Sequence, residues 1–383
     1  MKLRVAINYN FHDRSWYGGR NYFASLFEAV SACEPHEFSF VLIVGHKTET
    51  TLPDQFPEID VVRTRLLDRM TAPWLFRQGN LRMLNRDWLM ADFLRRQRID
   101  ILSHSMPLGP VRGLKTMPWL YDFQFLHLPE LWNPRHIRWA RQWYSAACHC
   151  SDAVVLSSES ALADMRTIAG DGRAAAHVLR FVSNSVDFSR LPSHHALCER
   201  YRIPHRYFYL PNQFWENKNH RLAIDALSLL KHAGIDATIV CTGRTADGRQ
   251  PEYFNRLMAY CRAAGVEEQF KVLAIIPYIE SQGLMLHAHA VINPSRFEGW
   301  STTVEEAKTL HKALFLSDIE VHREQAPRQG AFFQVDDPAA LAALMADALR
   351  RPAETVVPAS VTADHAARLR LFGESYLAIL RSL

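Results

Sequence analysis

Long apolar runs and a strong excess of either charge are absent from this chain of 383 residues. No apolar stretch reaches the roughly 18 residues that a membrane-spanning helix needs, and "MKLRVAINYN" enters alternating apolar residues without a leader segment. We therefore expect a cytoplasmic protein that is neither exported nor membrane-spanning. The net charge of +4 is too small to indicate a nucleic-acid partner.

The six cysteines form no C-x-x-C pair and no paired framework, which is typical of reduced thiols in a cytoplasmic protein. The cluster Cys148-His149-Cys150 has metal-ligating side chains but no second ligand pair at zinc-like spacing. We therefore predict no metal site at this cluster.

Short apolar runs alternate with longer helical patterns along the chain, which is typical of an α/β protein with parallel sheets. A length of 383 residues with 48% hydrophobic content predicts two domains. Residues 182–206 are rich in Ser, Pro, Asn and His without a sustained period, so we place the linker there. Apolar residues at helical spacing in 364–383 predict a terminal helix packed on a domain.

The stretch "FEGWSTTVEEA" (297–307) holds Glu298 and Glu306 eight positions apart. The preceding "AVINPS" is typical of a buried strand, and Thr302 with Glu305 forms a T-x-x-E capping box that predicts a helix start. A helix that starts at the carboxyl end of a parallel strand offers free N–H groups to a phosphate. With a carboxylate on either side, the arrangement predicts a ligand with hydroxyls at both ends of a phosphate, such as a nucleotide sugar.

Residues 293–324, "NPSRFEGWSTTVEEAKTLHKALFLSDIEVHRE", resemble the E-x7-E signature region of family 4 of the retaining glycosyltransferases. Three further segments resemble motifs of that family in the same order. They are the glycine loop at 16–22, the segment with a His-Asp pair at 118–130 and the phosphate-binding segment at 210–227. The resemblance implies the GT-B fold, an α/β architecture of two Rossmann-like domains with parallel sheets facing an interdomain cleft.

Under this resemblance, residues 1–185 would form an acceptor-binding N-terminal domain and residues 186–360 a nucleotide-sugar-binding C-terminal domain. Residues 361–383 would form the terminal helix, for which a return to the N-terminal domain is left open.

The donor site of the family, carried over to this chain, would place the ribose hydroxyls at Glu306 and the sugar ring at Glu298. Lys218 would neutralise charge on the leaving nucleotide, although "NKNH" also fits an N-cap run in which this lysine is merely solvated. The remaining donor contacts would be the backbone of Gly299, Trp300, Ser301 and Thr302, with a base pocket around Pro277 and Tyr278.

Two positions depart from the family pattern. Gln213 stands where the family usually has an arginine, so a phosphate-clamping charge is missing or is supplied by Arg244 or Arg296. His311 stands where a glycine commonly ends the motif helix, and left-handed geometry there costs a non-glycine residue about 1 kcal/mol.

The glycine pair Gly18 and Gly19 is predicted to follow the first strand and its loop and to precede a helix that starts near Arg20. Such a pair permits close backbone approach to a phosphate or an acceptor. We therefore include both glycines among the candidate donor contacts.

In the segment 118–130, Asp122 aligns with the aspartate of the family's His-Asp pair, and Tyr121 replaces the histidine. His127, five residues after Asp122, either supplies an imidazole to the site or is a core histidine. Both interpretations stay open from the sequence. Asp122 and His127 are named with Glu298 and Lys218 as candidate catalytic residues.

The acidic motif D-x-D, which holds a divalent cation in many metal-dependent transferases, does not occur in the chain. With a lysine and helix N–H groups available for the diphosphate, we expect no metal and no cofactor. The resemblance implies front-face attack with retention at the anomeric carbon, in which the departing phosphate takes the acceptor proton.

Residues 62–98 carry nine arginines against three aspartates, interleaved with Trp74, Leu75, Phe76 and Trp88. A basic, aromatic segment suits peripheral contact with an anionic membrane, which would indicate a lipid-linked acceptor. An ordinary amphipathic helix covering the first sheet explains the same pattern. A nucleic-acid-binding protein is a further alternative, but no recognition motif accompanies the arginines.

Together these features predict a retaining, metal-independent hexosyltransferase of bacterial surface polysaccharide assembly, such as O-antigen or capsule, on the cytoplasmic face of the membrane. It would transfer a hexose or deoxyhexose, first mannose or rhamnose from a GDP-sugar such as GDP-mannose, to a saccharide or lipid-linked saccharide. The alternatives are a nucleotide-sugar epimerase or phosphorylase on the same fold and a non-catalytic sugar-binding protein.

Overall fold

The computed structural model describes residues 2–9, 17–84, 86–105, 108–109, 111–170, 172–351 and 356–383, so the predicted glycine-loop residue Trp16 lies outside it. The chain forms two compact units. The first comprises Met1–Leu126, Asn133–Asn184 and Arg368–Leu383, and the second comprises His127–Trp132 and Ser185–Ala367.

Fourteen strands are described in chain order. They are β1 (Leu3–Asn8), β2 (Phe38–Val44), β3 (Asp60–Arg63), β4 (Ile101–Ser103), β5 (Lys115–Met117), β6 (Trp119–Leu120), β7 (Ala153–Leu156), β8 (Ala175–Val178), β9 (Phe208–Leu210), β10 (Ile239–Cys241), β11 (Phe270–Val272), β12 (Val291–Asn293), β13 (Leu314–Ser317) and β14 (Gly330–Phe333).

Fifteen α-helices connect them within the described residues. They are α1 (Tyr17–Ser31), α2 (Leu52–Gln55), α3 (Ala72–Leu84), α4 (Trp88–Arg96), α5 (Gln124–His127), α6 (Pro134–Cys150), α7 (Glu159–Ala169), α8 (His194–Tyr201), α9 (His220–His232), α10 (Tyr253–Ala263), α11 (Tyr278–His287), α12 (Thr302–Thr309), α13 (Glu320–Glu324), α14 (Pro338–Leu349) and α15 (Pro358–Arg381).

The first unit contains a five-stranded sheet of order β3-β2-β1-β4-β5 and a three-stranded sheet β6-β7-β8. The second unit contains a six-stranded sheet of order β11-β10-β9-β12-β13-β14. All strand pairs described in these sheets are parallel. Both units are therefore Rossmann-like, and the predicted α/β fold with parallel sheets is confirmed.

Alternate residues of the central strands in the second unit pack on opposite faces of its sheet. Phe208 and Leu210 of β9 join one apolar core, whereas Tyr209 between them joins the other. Successive side chains of a strand point to opposite faces, and helices cover both faces of a parallel sheet, so all three side chains are buried. Burial of Phe208 and of Leu210 stabilises the unit by about 1.5–3 kcal/mol each.

Two local predictions are corrected by the helix bounds. Helix α1 begins at Tyr17 rather than near Arg20, so Gly18 and Gly19 lie in its first turn instead of a loop before it. The boundary between the two units, at Asn184 and Ser185, falls inside the predicted linker 182–206, but the residues from Ser185 onward belong to the second unit and contain the 3-10 helix Phe188–Arg190 and α8. Helix α8 is short and its N-terminal residues are polar, which hid its period in the sequence.

The end of the motif helix has the geometry expected from its sequence. His311 follows α12 with φ 49°, the left-handed conformation that a helix commonly adopts as it ends. Its Nε2 lies 3.5 Å from Asp364 Oδ2, an ion pair when the imidazole is protonated.

Candidate functional site

The order of the six-stranded sheet creates a topological switch point in the second unit. Strand β9 is first in the chain among the six, β10 and β11 follow on one side of it, and β12 pairs on the other side. In open α/β sheets, ligands bind beyond the carboxyl ends of the strands at this point. The segments after β9 and β12 carry Lys218 and Glu298, so the switch point is the candidate site.

Asn293, the last residue of β12, organises the turn that leads to α12. Its Oδ1 accepts hydrogen bonds from Ser295 Oγ at 2.7 Å and from Asn212 Nδ2 at 2.9 Å, and its Nδ2 donates to Ser301 Oγ at 2.8 Å. This amide is fully buried, so its polar atoms need these partners. Asn293 thereby ties the segment after β9 to the start of α12.

The N-cap of α12 corrects the predicted capping box. Ser301 is the N-cap, and its Oγ accepts from the Val304 N–H at 3.3 Å, whereas Thr302 is already the first helical residue. Glu305 is buried and accepts from Lys308 Nζ and Gln325 Nε2, both at 2.9 Å. The helix start was predicted one residue late because Ser and Thr are both good caps and adjoin here.

Lys218 and Glu298 form a largely buried ion pair at the switch point. Lys218 Nζ lies 2.6 Å from Glu298 Oε1, and the two side chains are only 14% and 10% exposed. Ser295 Oγ lies 2.7 Å from the same carboxylate oxygen and can donate its one hydrogen either there or to Asn293 Oδ1. Burial favours the neutral acid, but the charge of Lys218, the nearby His322 and these hydrogen bonds outweigh it and lower the pKa of Glu298. Glu298 is therefore a carboxylate at neutral pH.

Backbone contacts hold the lysine in place. Lys218 ends the 3-10 helix Glu216–Lys218, and Asn219 after it adopts φ 55° and donates through Nδ2 to the Val335 carbonyl at 3.0 Å. The Arg296 N–H donates to the Asn217 carbonyl at 2.8 Å, which joins the segment after β9 to the segment after β12. Lys218 is therefore held in an ion pair and is not the solvated lysine that the sequence also allowed.

Glu306 lies on α12 beside the start of α11. Tyr278, the first residue of α11 after its N-cap Pro277, donates its phenol hydrogen to Glu306 Oε1 at 3.0 Å. Burial raises the pKa of Glu306 to about 7, although the hydrogen bond from Tyr278 acts in the opposite direction. The predicted ribose carboxylate and the predicted base-pocket residues are thus adjacent.

The backbone donors at the start of α12 are only partly available. The Ser301 N–H donates to Gln325 Oε1 at 3.2 Å, and Gln325 Nε2 donates back to the Ser301 carbonyl at 3.0 Å. Ser301 therefore does not match the expectation that every N–H from Gly299 to Thr302 faces a ligand. The N–H of Thr302 has no intrahelical acceptor because this residue is the first of the helix. Trp300 is largely buried.

Gln213, which replaces the usual arginine, contacts the backbone of Arg244. Its Oε1 accepts from the Arg244 N–H at 2.7 Å, and the Phe214 N–H donates to the Arg244 carbonyl at 2.9 Å. Gly243 permits this approach, since a Cβ there would lie 2.3 Å from the Asn212 carbonyl oxygen and its φ is 144°. The two candidate phosphate residues are brought together by the segments after β9 and β10.

Arg296, the other candidate for the missing charge, forms an exposed ion pair. Its Nη2 lies 3.0 Å from Asp336 Oδ1, with the two side chains 44% and 79% exposed. Such pairs contribute little stability and leave the guanidinium reachable. Arg296 therefore differs from Lys218, which is held inside the site.

The candidates of the 118–130 segment fall in different units and are described separately. In the first unit, Asp122 Oδ1 accepts from the Gln124 N–H at 2.6 Å, and its carbonyl accepts from Tyr144 Oη at 2.7 Å. In the second unit, the His127 ring stacks on Phe297 with centroids 4.9 Å apart. His127 thus contacts the residue that precedes Glu298.

Four polar residues that support the site were not identified from the sequence. They are Asn293, Ser295, His322 and Gln325. The stretches "NPS" and "HRE" lie inside the motif region, but their spacing in the sequence does not show that Ser295 and His322 both lie near the carboxylate of Glu298. His322 is fully buried, and burial lowers the pKa of its imidazole against the opposing charge of Glu298.

The basic segment 62–98 divides into packed and exposed parts. Arg77 is buried, with Nε 2.6 Å from Asp87 Oδ2, and Met90 and Leu94 of α4 are buried in the first unit. The same segment also has exposed apolar side chains. They are Met70, Leu75, Phe76, Met83 and Trp88. Within the described residues, no helix is both long enough and apolar enough to cross a membrane.

Residues 204–360 match the family model described as glycosyl transferases group 1. This match covers most of the second unit and less than half of the chain. Among curated proteins, no sequence matches the chain significantly.

Solved structures resemble the whole chain. HepE of Anabaena in complex with UDP-glucose has 14% identity and a TM-score of 0.68, covering 100% of both chains. Sucrose-phosphate synthase of Thermosynechococcus elongatus has 11% identity and a TM-score of 0.71, covering 100% of this chain and 99% of that one. WaaG, described as a glycosyltransferase involved in lipopolysaccharide biosynthesis, has 13% identity and a TM-score of 0.61, covering 97% and 95%. The fold is the GT-B fold that the sequence predicted.

Proposed function

We propose that this protein is a retaining glycosyltransferase that moves a hexose or deoxyhexose from a nucleoside diphosphate sugar to a saccharide or lipid-linked saccharide. One observation carries the proposal. A buried Lys218–Glu298 pair, 2.6 Å between Nζ and Oε1, lies where β9 and β12 end, at the sheet's switch point. The group 1 glycosyltransferase match over residues 204–360 supports the same reaction class.

The nucleotide sugar would bind with its ribose and its transferred sugar at opposite ends of the site. Glu306, hydrogen-bonded to Tyr278, accepts from the ribose hydroxyls, and the base lies toward Pro277. Glu298 accepts from hydroxyls of the transferred sugar. The diphosphate lies between them at the start of α12, where the Thr302 N–H, which has no intrahelical acceptor, and the helix dipole favour an anion.

The chemistry requires that negative charge build up on the leaving diphosphate. The bond from the anomeric carbon to the β-phosphate oxygen breaks while the acceptor oxygen bonds to the same carbon from the same face. The acceptor proton passes to the departing phosphate oxygen. Lys218 stabilises that charge, and its contact with Glu298 fixes its position before the reaction, so little reorganisation is needed.

The diphosphate in this proposal is neutralised without a divalent cation. Lys218 supplies one positive charge, and the helix N-terminus supplies a partial one. Arg244 supplies the second full charge in place of the arginine that Gln213 replaces. The hydrogen bond from the Arg244 N–H to Gln213 Oε1 places Arg244 beside the segment that leads to Lys218.

For the donor, we propose a GDP-sugar, first GDP-mannose or a rhamnose donor, by the resemblance of the motif wording to mannosyl- and rhamnosyltransferases. UDP-glucose is tested beside it, because HepE of Anabaena is described in complex with UDP-glucose. The proposed setting is surface polysaccharide assembly at the cytoplasmic face of a membrane. The exposed Leu75 and Phe76 in the basic segment and the description of WaaG both support that setting.

A donor panel with and without EDTA tests the proposal. Purified protein is incubated with GDP-mannose, UDP-glucose and other nucleotide sugars and a panel of saccharide acceptors, and released nucleotide and product anomer are measured by chromatography and NMR. We expect acceptor-dependent release, an anomer unchanged from the donor, and no loss with EDTA. Lys218→Met should lose activity at least 100-fold, as when one preorganised hydrogen-bond donor to the transition state is lost. Glu298→Gln should lose activity by a similar factor, because the acceptor for the sugar hydroxyls and the partner of Lys218 are both removed.

Lys271→Met is the matched control, because Lys271 lies outside the candidate site and forms an ion pair with the exposed Glu268 at 3.2 Å. It should retain full activity. Turnover of Glu298→Gln and Lys218→Met equal to that of the control would contradict the proposal. Donor epimerised without acceptor would indicate an epimerase, transfer that requires phosphate a phosphorylase, and donor binding without turnover a sugar-binding protein.

A further inference from the structure

A second cluster of chemically reactive side chains lies in the segment that the sequence had assigned to the linker. His194, Cys198 and His205 place one imidazole nitrogen each and the thiol sulfur within 4.8 Å of one another. None of them belongs to the donor site described above.

The local fold brings the three side chains together. His194 and Cys198 are four residues apart on α8, so they lie on the same face of the helix. Arg202 ends the helix in the left-handed conformation, φ 52°, and turns the chain back along that face. The Ile203 N–H donates to the Cys198 carbonyl at 3.1 Å, which fixes the return. His205 then lies with its ring centroid 5.2 Å from that of His194.

The imidazole of His194 is prepared as a ligand. Within the described residues its Nε2 is buried without a hydrogen-bond partner, and a hydrogen bond links the ring to the backbone of His205. Metal-ligating histidines typically donate one ring N–H to a carbonyl or carboxylate and bind the metal through the other nitrogen.

The thiol of Cys198 is the group that a metal would change most. It is buried and lies 3.7 Å from the Pro204 carbonyl, and burial raises its pKa. A bound divalent cation would displace the thiol proton to solvent and form a metal–thiolate bond. The thiolate would lower the charge that the cation brings from +2 to +1. The repulsion from Lys312, which acts on His194, would then be smaller than for the cation alone.

We propose that His194, Cys198 and His205 bind a borderline-soft divalent metal of the zinc class, with a solvent molecule at the fourth position. Two imidazoles and one thiolate are the ligand types that zinc takes in tetrahedral sites, with metal–nitrogen distances of about 2.0–2.1 Å and a metal–sulfur distance of about 2.3 Å. The observed separations of up to 4.8 Å require His205, which is exposed, to move inward by about 1 Å.

The metal would act as a clamp between α8 and the segment that enters β9. His205 precedes Phe208, the first residue of β9, and β9 leads to the segment with Lys218. His287, at the end of α11, stacks on His194 with centroids 5.0 Å apart and an interplanar angle of 11°. The clamp would therefore stabilise the native unit without taking part in glycosyl transfer.

Cobalt titration of the full chain tests this site. The protein is stripped of metal, freed of any histidine tag and titrated with Co²⁺, whose bond to a thiolate gives charge-transfer absorption in the near ultraviolet. We expect one Co²⁺ per chain with that absorption, displaced by Zn²⁺. Cys198→Ser should abolish the absorption. His205→Ala should weaken binding more than about 100-fold, beyond the effect of losing an outer-shell partner.

His232→Ala is the matched control, because His232 is exposed and its Nδ1 faces the Ser228 carbonyl at 2.7 Å. It should bind Co²⁺ as the unchanged protein does. Cobalt bound without charge-transfer absorption, or equal affinity of His205→Ala and the control, would overturn the proposal. Since His205 is exposed, its removal tests the site even where Cys198→Ser fails to fold. Zn²⁺ should also raise the Tm of the unchanged protein and not that of His205→Ala.

Discussion

The phenol of Tyr278 and the carboxyl of Glu306 meet at 3.0 Å, joining the first residue of α11 to the middle of α12. The side chain of Glu306 is partly buried, and this burial raises its pKa to about 7. The protonation state of this residue therefore changes in the physiological pH range. Two measurable effects follow, one on nucleotide binding and one on stability.

Nucleotide binding should strengthen as the pH rises from 6 to 8. The carboxylate accepts hydrogen bonds from ribose hydroxyls, and the ionised fraction of Glu306 grows through its pKa of about 7. We expect the Kd for GDP or UDP to fall several-fold over this range by calorimetry. In Glu306→Gln the Kd should be larger, and it should not fall as the pH rises from 6 to 8. An identical pH profile in both proteins would rule out Glu306 as the titrating group.

Stability should change with pH in the opposite direction. The folded protein holds the Glu306 proton up to about pH 7, whereas the unfolded chain releases it near the ordinary value of 4.5. Between these values the native state binds more protons, so the free energy of unfolding falls as pH rises. Glu306→Gln should therefore be more stable than the unchanged protein at pH 8, by about 1–3 kcal/mol in urea unfolding, with the difference vanishing near pH 4.5.

The Lys218–Glu298 pair should show strong coupling in stability. Lys218→Met removes the partner of a carboxylate that is only 10% exposed, which costs about 3–5 kcal/mol for a buried pair. The double variant with Glu298→Gln should recover much of that loss, because no uncompensated charge remains. A double-mutant cycle in urea checks this. Additive losses in the cycle would show that the pair contributes no coupling energy.

Gly243→Ala should destabilise the second unit and separate Gln213 from Arg244. The new Cβ would lie 2.3 Å from the Asn212 carbonyl oxygen at φ 144°, a conformation that costs an L-residue about 1–3 kcal/mol before the clash is counted. Gly248→Ala is the control, because a Cβ there meets nothing within 4 Å. Unfolding midpoints in urea compare the two variants. Equal midpoints would contradict the close approach at Gly243.

Vesicle binding tests the proposed membrane contact of the basic segment. Replacing Leu75 and Phe76, which are 50% and 61% exposed, by serine should reduce sedimentation with anionic phosphatidylglycerol vesicles several-fold. Phosphatidylcholine vesicles should bind weakly in every case, since they lack the surface charge. Leu371→Ser, at a leucine 65% exposed on α15, is the matched control. Equal sedimentation of all three proteins would leave α3 as an ordinary surface helix.

Local patterns were sufficient to predict the α/β fold, the parallel strands, the helix after "NPSRFEGW" and the candidates Lys218, Glu298 and Glu306. These features depend on hydrophobic period, turn residues and motif wording within a few dozen residues, which the chain order records directly. The left-handed conformation of His311 could also be predicted locally, because it depends on the position of this one residue at the end of a helix.

Contacts between distant segments required the folded chain. Lys218 and Glu298 are 80 residues apart, yet adjacent strands bring them to a hydrogen-bonded distance. Gln213 and Arg244 are likewise distant in the chain but hydrogen-bonded in the fold. The N-cap Ser301 is hydrogen-bonded to both Asn293 and Gln325. His205 reaches α8 only because the chain reverses at Arg202. A side chain's partners, its burial and thus its pKa depend on packing, which sequence spacing does not encode.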